Sequence, residues 1–181
     1  MTDLFHQSLL ARRCGVAAAM LVACLCAASA PAATPAADAI AFEPEPPRLL
    51  DGFDDPSPWR VVASDQVSAS LRVAEGVDGR ALCLDYDFNG VSGYAGIQRE
   101  LALDYPANYR FSFQLRGDSP DNDLQFKLVD ASGDNVWWVN RPRYDFPRQW
   151  TGVEYRQRHI DRAWGPDPDP VLRRSAKVEF T

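Results

Sequence analysis

The feature that most constrains the fold is a period-two alternation of apolar and polar residues that recurs along the chain. In Tyr109–Arg116 every second residue is aromatic or leucine, and Ala81–Phe88 and Leu124–Leu128 repeat the pattern. Because successive side chains of a β-strand point to opposite faces, each segment predicts a strand with one face in a core. No long stretch shows apolar residues at helical spacing. Residues 45–181 are therefore predicted to form an all-β domain.

Turn-forming residues separate these strands. Asp130–Asn135 lies between the strand at Leu124–Leu128 and Val136–Asn140, which predicts a β-hairpin. Prolines lack the amide donors of a central strand, so Trp164–Pro170 is expected to be a surface loop. Weaker strand patterns occupy Leu49–Phe53, Arg60–Ser64, Ser68–Val73, Gly96–Leu101, Val153–Ile160 and Ala176–Phe180. About ten short strands with such punctuation are typical of a two-sheet antiparallel jelly-roll sandwich.

Residues 1–39 are not expected to belong to the domain. They contain two arginines, an uncharged run rich in Ala, Leu and Val, and an Ala/Pro-rich stretch, as in a secretory signal peptide followed by a flexible tether. Ala28–Ala30 and Ala37–Ala39 suit a signal peptidase, whereas Leu21–Cys24 resembles a lipobox in which Cys24 would be acylated. Both alternatives predict export, with the protein periplasmic, anchored to the outer membrane by a lipid, or extracellular.

Composition argues against several functional classes. The net charge of −6, with scattered arginines, disfavours nucleic-acid binding. Only Cys83 lies outside the leader, so an internal disulfide and CxxC metal spacing are both excluded. GxSxG, HExxH and phosphate-loop motifs are absent. We therefore expect His159, the one histidine outside the leader, to be structural and the chain itself to be no enzyme.

Several segments, taken in order, resemble the galactose-binding-like jelly rolls of bacterial carbohydrate-binding modules and of discoidin or coagulation factor 5/8 C-like domains. They are Leu49–Asp55, Tyr109–Asp118, Leu128–Trp138 and Arg158–Pro166. The resemblance implies a non-catalytic module that binds a poly- or oligosaccharide within a larger exported protein, glycan-degrading enzymes among them. Such domains usually end in a strand with paired acidic residues. The sequence stops before one, which implies that the sandwich lacks its last strand or strands and that a downstream domain follows.

Candidate ligand-binding residues combine aromatic rings with planar polar groups, which suit the C–H faces and hydroxyls of sugars. Trp137 and Trp138 are neighbours in a predicted strand and must face opposite sides. We expect Trp138 in the core and Trp137 towards the ligand; Trp164 either binds ligand or packs. Polar candidates on strands and in a predicted loop are Arg116, Lys127, Asn140, Arg141, Arg143 and Tyr144. The alternative is a solvated surface on a structural or protein-interaction sandwich.

Three aspartates near the start of the domain suggest a metal site. Asp51, Asp54 and Asp55 supply hard oxygen ligands on one turn, and calcium takes about six to eight such oxygens. The resemblance also implies a structural calcium ion, the only cofactor expected. The alternative is a turn whose aspartates accept hydrogen bonds from local amides.

Overall fold

A computed structural model describes residues 46–181, and Pro47–Thr181 form one compact unit. These residues contain a 3₁₀ helix, Gln157–His159, but no helix with the length and hydropathy of a membrane span. The strands are β1 (Trp59–Ala63), β2 (Ser68–Glu75), β3 (Arg80–Asp87), β4 (Ala95–Asp104), β5 (Arg110–Leu115), β6 (Asn122–Val129), β7 (Val136–Tyr144), β8 (Thr151–Arg156), β9 (Asp161–Trp164) and β10 (Arg174–Phe180). The leader, residues 1–39, and Cys24 lie outside the described residues, so their processing and the export they imply stay predictions.

Every strand pair is antiparallel. Six strands form one sheet in the order β1-β4-β10-β6-β7-β9, while β2 pairs with β3 and β5 with β8. The hairpin predicted around Asp130–Asn135 is present, with Leu128 of β6 opposite Trp137 of β7. The all-β, antiparallel architecture expected from the alternation is confirmed.

The core lies between the six-stranded sheet and the β5–β8 pair. Phe126 and Leu128 of β6 are almost completely buried. The ring of Phe113 in β5 lies 6.2 Å from that of Phe126 and 5.1 Å from that of Phe180. Tyr155 of β8 packs 5.7 Å from Phe126. The alternate apolar residues of each strand therefore meet as the period-two pattern predicts.

The β2–β3 hairpin contributes less buried surface. Its apolar side chains share one face but remain partly exposed, as at Leu71, Val73, Leu82 and Leu84. Within residues 46–181 no strand pairing joins β3 to β5 or β8. The β2–β3 and β5–β8 pairs are therefore separate two-stranded sheets.

Two segments differ from the sequence-based expectation. Leu49–Phe53 is not a strand, although Leu50 packs against the core, because Phe53 turns the chain at a φ of 56°. The predicted loop after Val139 is instead the second half of β7, which pairs with β6 as far as Tyr144. The β6–β7 register shifts between Asn122 and Leu124. Such a bulge accommodates a proline, here Pro142, within a strand.

Candidate functional site

The outer face of the six-stranded sheet, turned away from the core, carries polar side chains in one register across the strands. Side chains that are directly opposite on neighbouring antiparallel strands lie close enough to interact. The row consists of Arg60, Gln98, Glu179, Lys127, Trp138 and Asp161, taken in order from β1 to β9. Each strand of the sheet thus contributes one residue to this outer-face row.

Glu179 lies at the centre of the row and is held from both sides. Its Oε2 accepts a hydrogen bond from Gln98 Nε2 at 2.8 Å, and its Oε1 accepts one from Lys127 Nζ at 2.8 Å. Lys127 also donates to Thr181 Oγ1 at 3.0 Å, and Arg60 Nε donates to Gln98 Oε1 at 3.0 Å. The Lys127 and Glu179 side chains are only 12% and 13% exposed. These hydrogen bonds hold the side chains in a fixed polar surface, which we call the polar floor of the outer face. It consists of Arg60, Gln98, Glu179, Lys127 and Thr181.

Two tryptophans border this floor at the β7–β9 end. The ring of Trp138 lies 5.6 Å from that of Trp164 at an interplanar angle of 83°, an edge-to-face geometry that aromatic pairs prefer. Trp164 belongs to the edge strand β9 and is 50% exposed. Its half-exposed ring is a flat apolar surface at this edge of the sheet.

The expected orientation of the adjacent tryptophans is wrong. Trp137 is 5% exposed and packs in the core, where its Nε1 donates a hydrogen bond to Pro170 O at 2.7 Å. Trp138 lies on the outer face instead. Val136 and Val139 are both buried although they lie on opposite faces, so their hydrophobicity could not indicate which tryptophan faces inward. A buried Trp137 cannot stack on a ligand.

Polar residues beside the row extend the outer face. Gln125 and Asn140 are opposite each other on β6 and β7, with Gln125 Nε2 3.4 Å from Asn140 Oδ1. Beyond Asn140, an open depression of about 460 Å³ is lined by Asn140, Arg141, Pro142, Arg143, Tyr144 and Asp145. The structure thus brings the predicted residues of β7 together, next to Lys127 and its neighbours.

Arg116 does not belong to this face. It follows β5, and its Cζ lies 5.0 Å from the ring centroid of Trp150, just before β8, within the range of a cation–π interaction. The pair is separate from the six-stranded sheet.

A second open depression, of about 400 Å³, lies over β5 and β8 near Ser112, Gln114 and Glu154. Its aromatic residue, Phe113, packs into the core 5.6 Å from the ring of Tyr155. Trp164 of the six-stranded sheet is 50% exposed, so we place the candidate ligand site on that sheet rather than on β5–β8.

The three N-terminal aspartates do not fit a calcium site. Asp51 Oδ2 accepts a hydrogen bond from Trp59 Nε1 at 2.9 Å and forms an ion pair with Arg99. Asp55 accepts bonds from the Ser57 amide and hydroxyl at 2.9 and 2.8 Å, and the amide bond is the main cause of its lowered pKa. Within residues 46–181 no three His, Cys, Asp or Glu side chains are placed to hold a metal ion. Protein donors thus occupy the oxygens of Asp51 and Asp55, and those from the Phe53 amide and Ser57 are local, as in the turn alternative.

Comparison with known proteins bears on the fold. No protein-family model and no curated protein matches the sequence. A family 11 carbohydrate-binding module from Clostridium thermocellum, solved with a β-1,3-1,4-mixed-linked tetrasaccharide, matches with a TM-score of 0.60 and 18% identity over 72% of this chain and 82% of that chain. This chain shares its jelly-roll fold. The family 11 module of the cellulosomal cellulase Lic26A-Cel5E from the same organism matches with a TM-score of 0.58 and 16% identity. This match covers 74% of this chain and 82% of that chain.

Proposed function

We propose that this chain is a non-catalytic carbohydrate-binding module that holds an oligo- or polysaccharide on the outer face of its six-stranded sheet. The observation that carries the proposal is the combination of the Trp138–Trp164 pair with the polar floor around Glu179. A pyranose ring has apolar C–H faces and a rim of hydroxyls. An exposed indole and fixed carboxylate, amide and ammonium groups match these two kinds of surface.

The structural neighbours support the same ligand class. Both are carbohydrate-binding modules, and one was solved with a mixed-linked tetrasaccharide. We therefore propose a glycan as the partner of this chain, and a β-1,3-1,4-mixed-linked tetrasaccharide as the first glycan to test.

Binding suits the side-chain chemistry of the described residues better than catalysis. Both carboxylate oxygens of Glu179 accept hydrogen bonds from neighbouring residues. His159 Nδ1 accepts a hydrogen bond from the Arg156 amide at 3.2 Å, which gives it a structural role. A glycosidase needs a carboxyl group with a raised pKa as its acid, whereas the pKa of Glu154 is lowered by a hydrogen bond from Arg156.

The alternative function, a structural or protein-interaction sandwich, would be favoured if the aromatic rings of the outer face were buried. Trp164 is half-exposed beside hydrogen-bonding groups, which favours glycan binding.

Isothermal titration calorimetry with β-1,3-1,4-mixed-linked oligosaccharides and other neutral glycans tests the proposal on the whole chain. We expect Trp164→Ala to weaken binding about tenfold or more, equivalent to about 1.4 kcal/mol, without unfolding the domain. Trp150→Ala removes a tryptophan outside the outer face and should leave the affinity unchanged. If no glycan in the panel binds, or if both variants bind like the parent chain, the proposed site is wrong.

A further inference from the structure

The depression at the end of β7 contains two arginines without acidic partners. Arg141 and Arg143 are exposed, and within residues 46–181 neither lies within 4.0 Å of a carboxylate oxygen. Arg110 and Arg156 on the neighbouring layer, in contrast, both pair with Glu154. Two guanidinium groups are therefore free to bind an anionic group from outside the chain.

A buried hydroxyl near this depression also has no acceptor. Tyr155 is 5% exposed, and its Oη makes no hydrogen bond among the described residues. Burial raises the pKa of Tyr155; Tyr144 raises it further and Arg141 lowers it, so the phenol lies near these two residues of the depression. Tyr and Arg side chains both donate hydrogen bonds, and the Tyr155 hydroxyl has no acceptor among the described residues.

The backbone here has an unusual conformation. Arg143 has a φ of 51°, uncommon for a residue other than glycine. Its amide donates to Asp123 Oδ1 at 2.9 Å, and the β6–β7 register shift lies opposite it. β-Bulges redirect side chains and frequently border functional sites. Arg141 and Arg143 both line the depression at this bulge.

We propose that this depression binds the carboxylate of an acidic sugar, a uronic acid residue of the glycan, through Arg141 and Arg143. Guanidinium groups bind carboxylates with charge-assisted, often bidentate, hydrogen bonds. Asp145 also lines the depression, so the formal charge of the depression is one positive unit rather than two. Asn140 belongs both to the outer face and to this depression. The two sites therefore share Asn140, and the inference rests on the proposed glycan-binding function.

The test compares glycans that differ only in the carboxylate. Galacturonate oligosaccharides and their methyl esters, and xylo-oligosaccharides with and without glucuronate branches, are titrated into the whole chain at two salt concentrations. We expect the acidic member of at least one pair to bind about tenfold tighter, with the preference reduced at high salt.

The double variant Arg141→Gln/Arg143→Gln should lose this preference and keep its affinity for neutral glycans. Arg158→Gln, an exposed arginine outside the depression, is the matched control, and circular dichroism checks that each variant is folded. Equal affinity for acidic and neutral members, or a preference that survives in the double variant, overturns the inference. Either result leaves the outer-face proposal standing, because that proposal depends on the effect of Trp164→Ala.

Discussion

At the scale of single residues, Asp51 fixes the N-terminal segment to the sheet. It pairs with Arg99, and the two side chains are 12% and 19% exposed. Arg99 also lies over the ring of Trp59, with its Cζ 5.8 Å from the ring centroid, and its Nε has no hydrogen-bond partner among the described residues. The guanidinium therefore depends on Asp51 to compensate its charge.

We expect Asp51→Ala to lower the free energy of unfolding by about 2 to 3 kcal/mol, because it leaves a poorly solvated charge unpaired. Urea unfolding followed by tryptophan fluorescence measures the change. Asp85→Ala is the control: it removes the partner of Arg72 from a pair that is 57% and 50% exposed. Exposed pairs contribute little, so its unfolding midpoint should not move. Equal effects of the two substitutions would contradict the role given to Asp51.

At the scale of strands, β10 joins β4 to β6 through the Gln98–Glu179–Lys127 row. Lys127→Met keeps the apolar stem but leaves the Glu179 carboxylate without its cation. Glu179→Gln keeps the shape of the side chain but leaves the Lys127 ammonium without its anion. We expect each single substitution to lower both the free energy of unfolding and the affinity for the glycan. The double variant should be less unstable than the sum of the singles, with a coupling of about 1 kcal/mol or more.

Denaturant unfolding and calorimetry on the four proteins of this cycle measure the coupling. Lys177→Met provides the matched lysine control, because its Nζ is 3.7 Å from the 65% exposed Glu100 carboxylate. Additive effects of Lys127→Met and Glu179→Gln would show that the row is not a cooperative network.

The same strands show which features a sequence can predict. The β6–β7 hairpin follows from local chemistry, because Asp130 Oδ1 accepts hydrogen bonds from the Gly133 amide at 3.0 Å and the Ser132 hydroxyl at 2.7 Å. The Glu179 network joins residues 81 and 52 positions apart, so it exists only once the strand order is known. The inward face of Trp137 was ambiguous for a related reason: it depends on register, and a shift of one residue exchanges the faces.

At the scale of the whole molecule, stability should fall at both ends of the pH range. On the acid side, the pKa of Asp85 is lowered by a hydrogen bond from Arg72, and that of Asp169 by one from Arg173. A carboxyl group with a lowered folded-state pKa stabilises the domain above its unfolded value near 4. This contribution is lost as the pH falls through the folded-state value. Both pairs are exposed, so the acid loss should be small and sensitive to salt.

The alkaline loss should be larger, because it comes from phenols that are at least half-buried. Burial raises the pKa of Tyr105 strongly and also raises those of Tyr109 and Tyr155. Each folded-state pKa lies above the unfolded value near 10, so the stabilisation is complete below about pH 10 and is lost as the pH rises through the folded-state values. Thermal unfolding midpoints should therefore decline steadily above pH 10.

Tyr105→Phe tests the origin of this decline, since it removes the phenol whose Oη is 2.6 Å from Ser175 Oγ. It should lower stability at pH 7 through loss of that hydrogen bond, yet flatten the slope above pH 10. Tyr94→Phe is the control because Tyr94 is 48% exposed, and it should leave the slope unchanged. The pH dependence of stability reports proton release by each phenol on unfolding. If the midpoint of Tyr105→Phe declined above pH 10 as steeply as that of the parent chain, other groups would govern the alkaline limit.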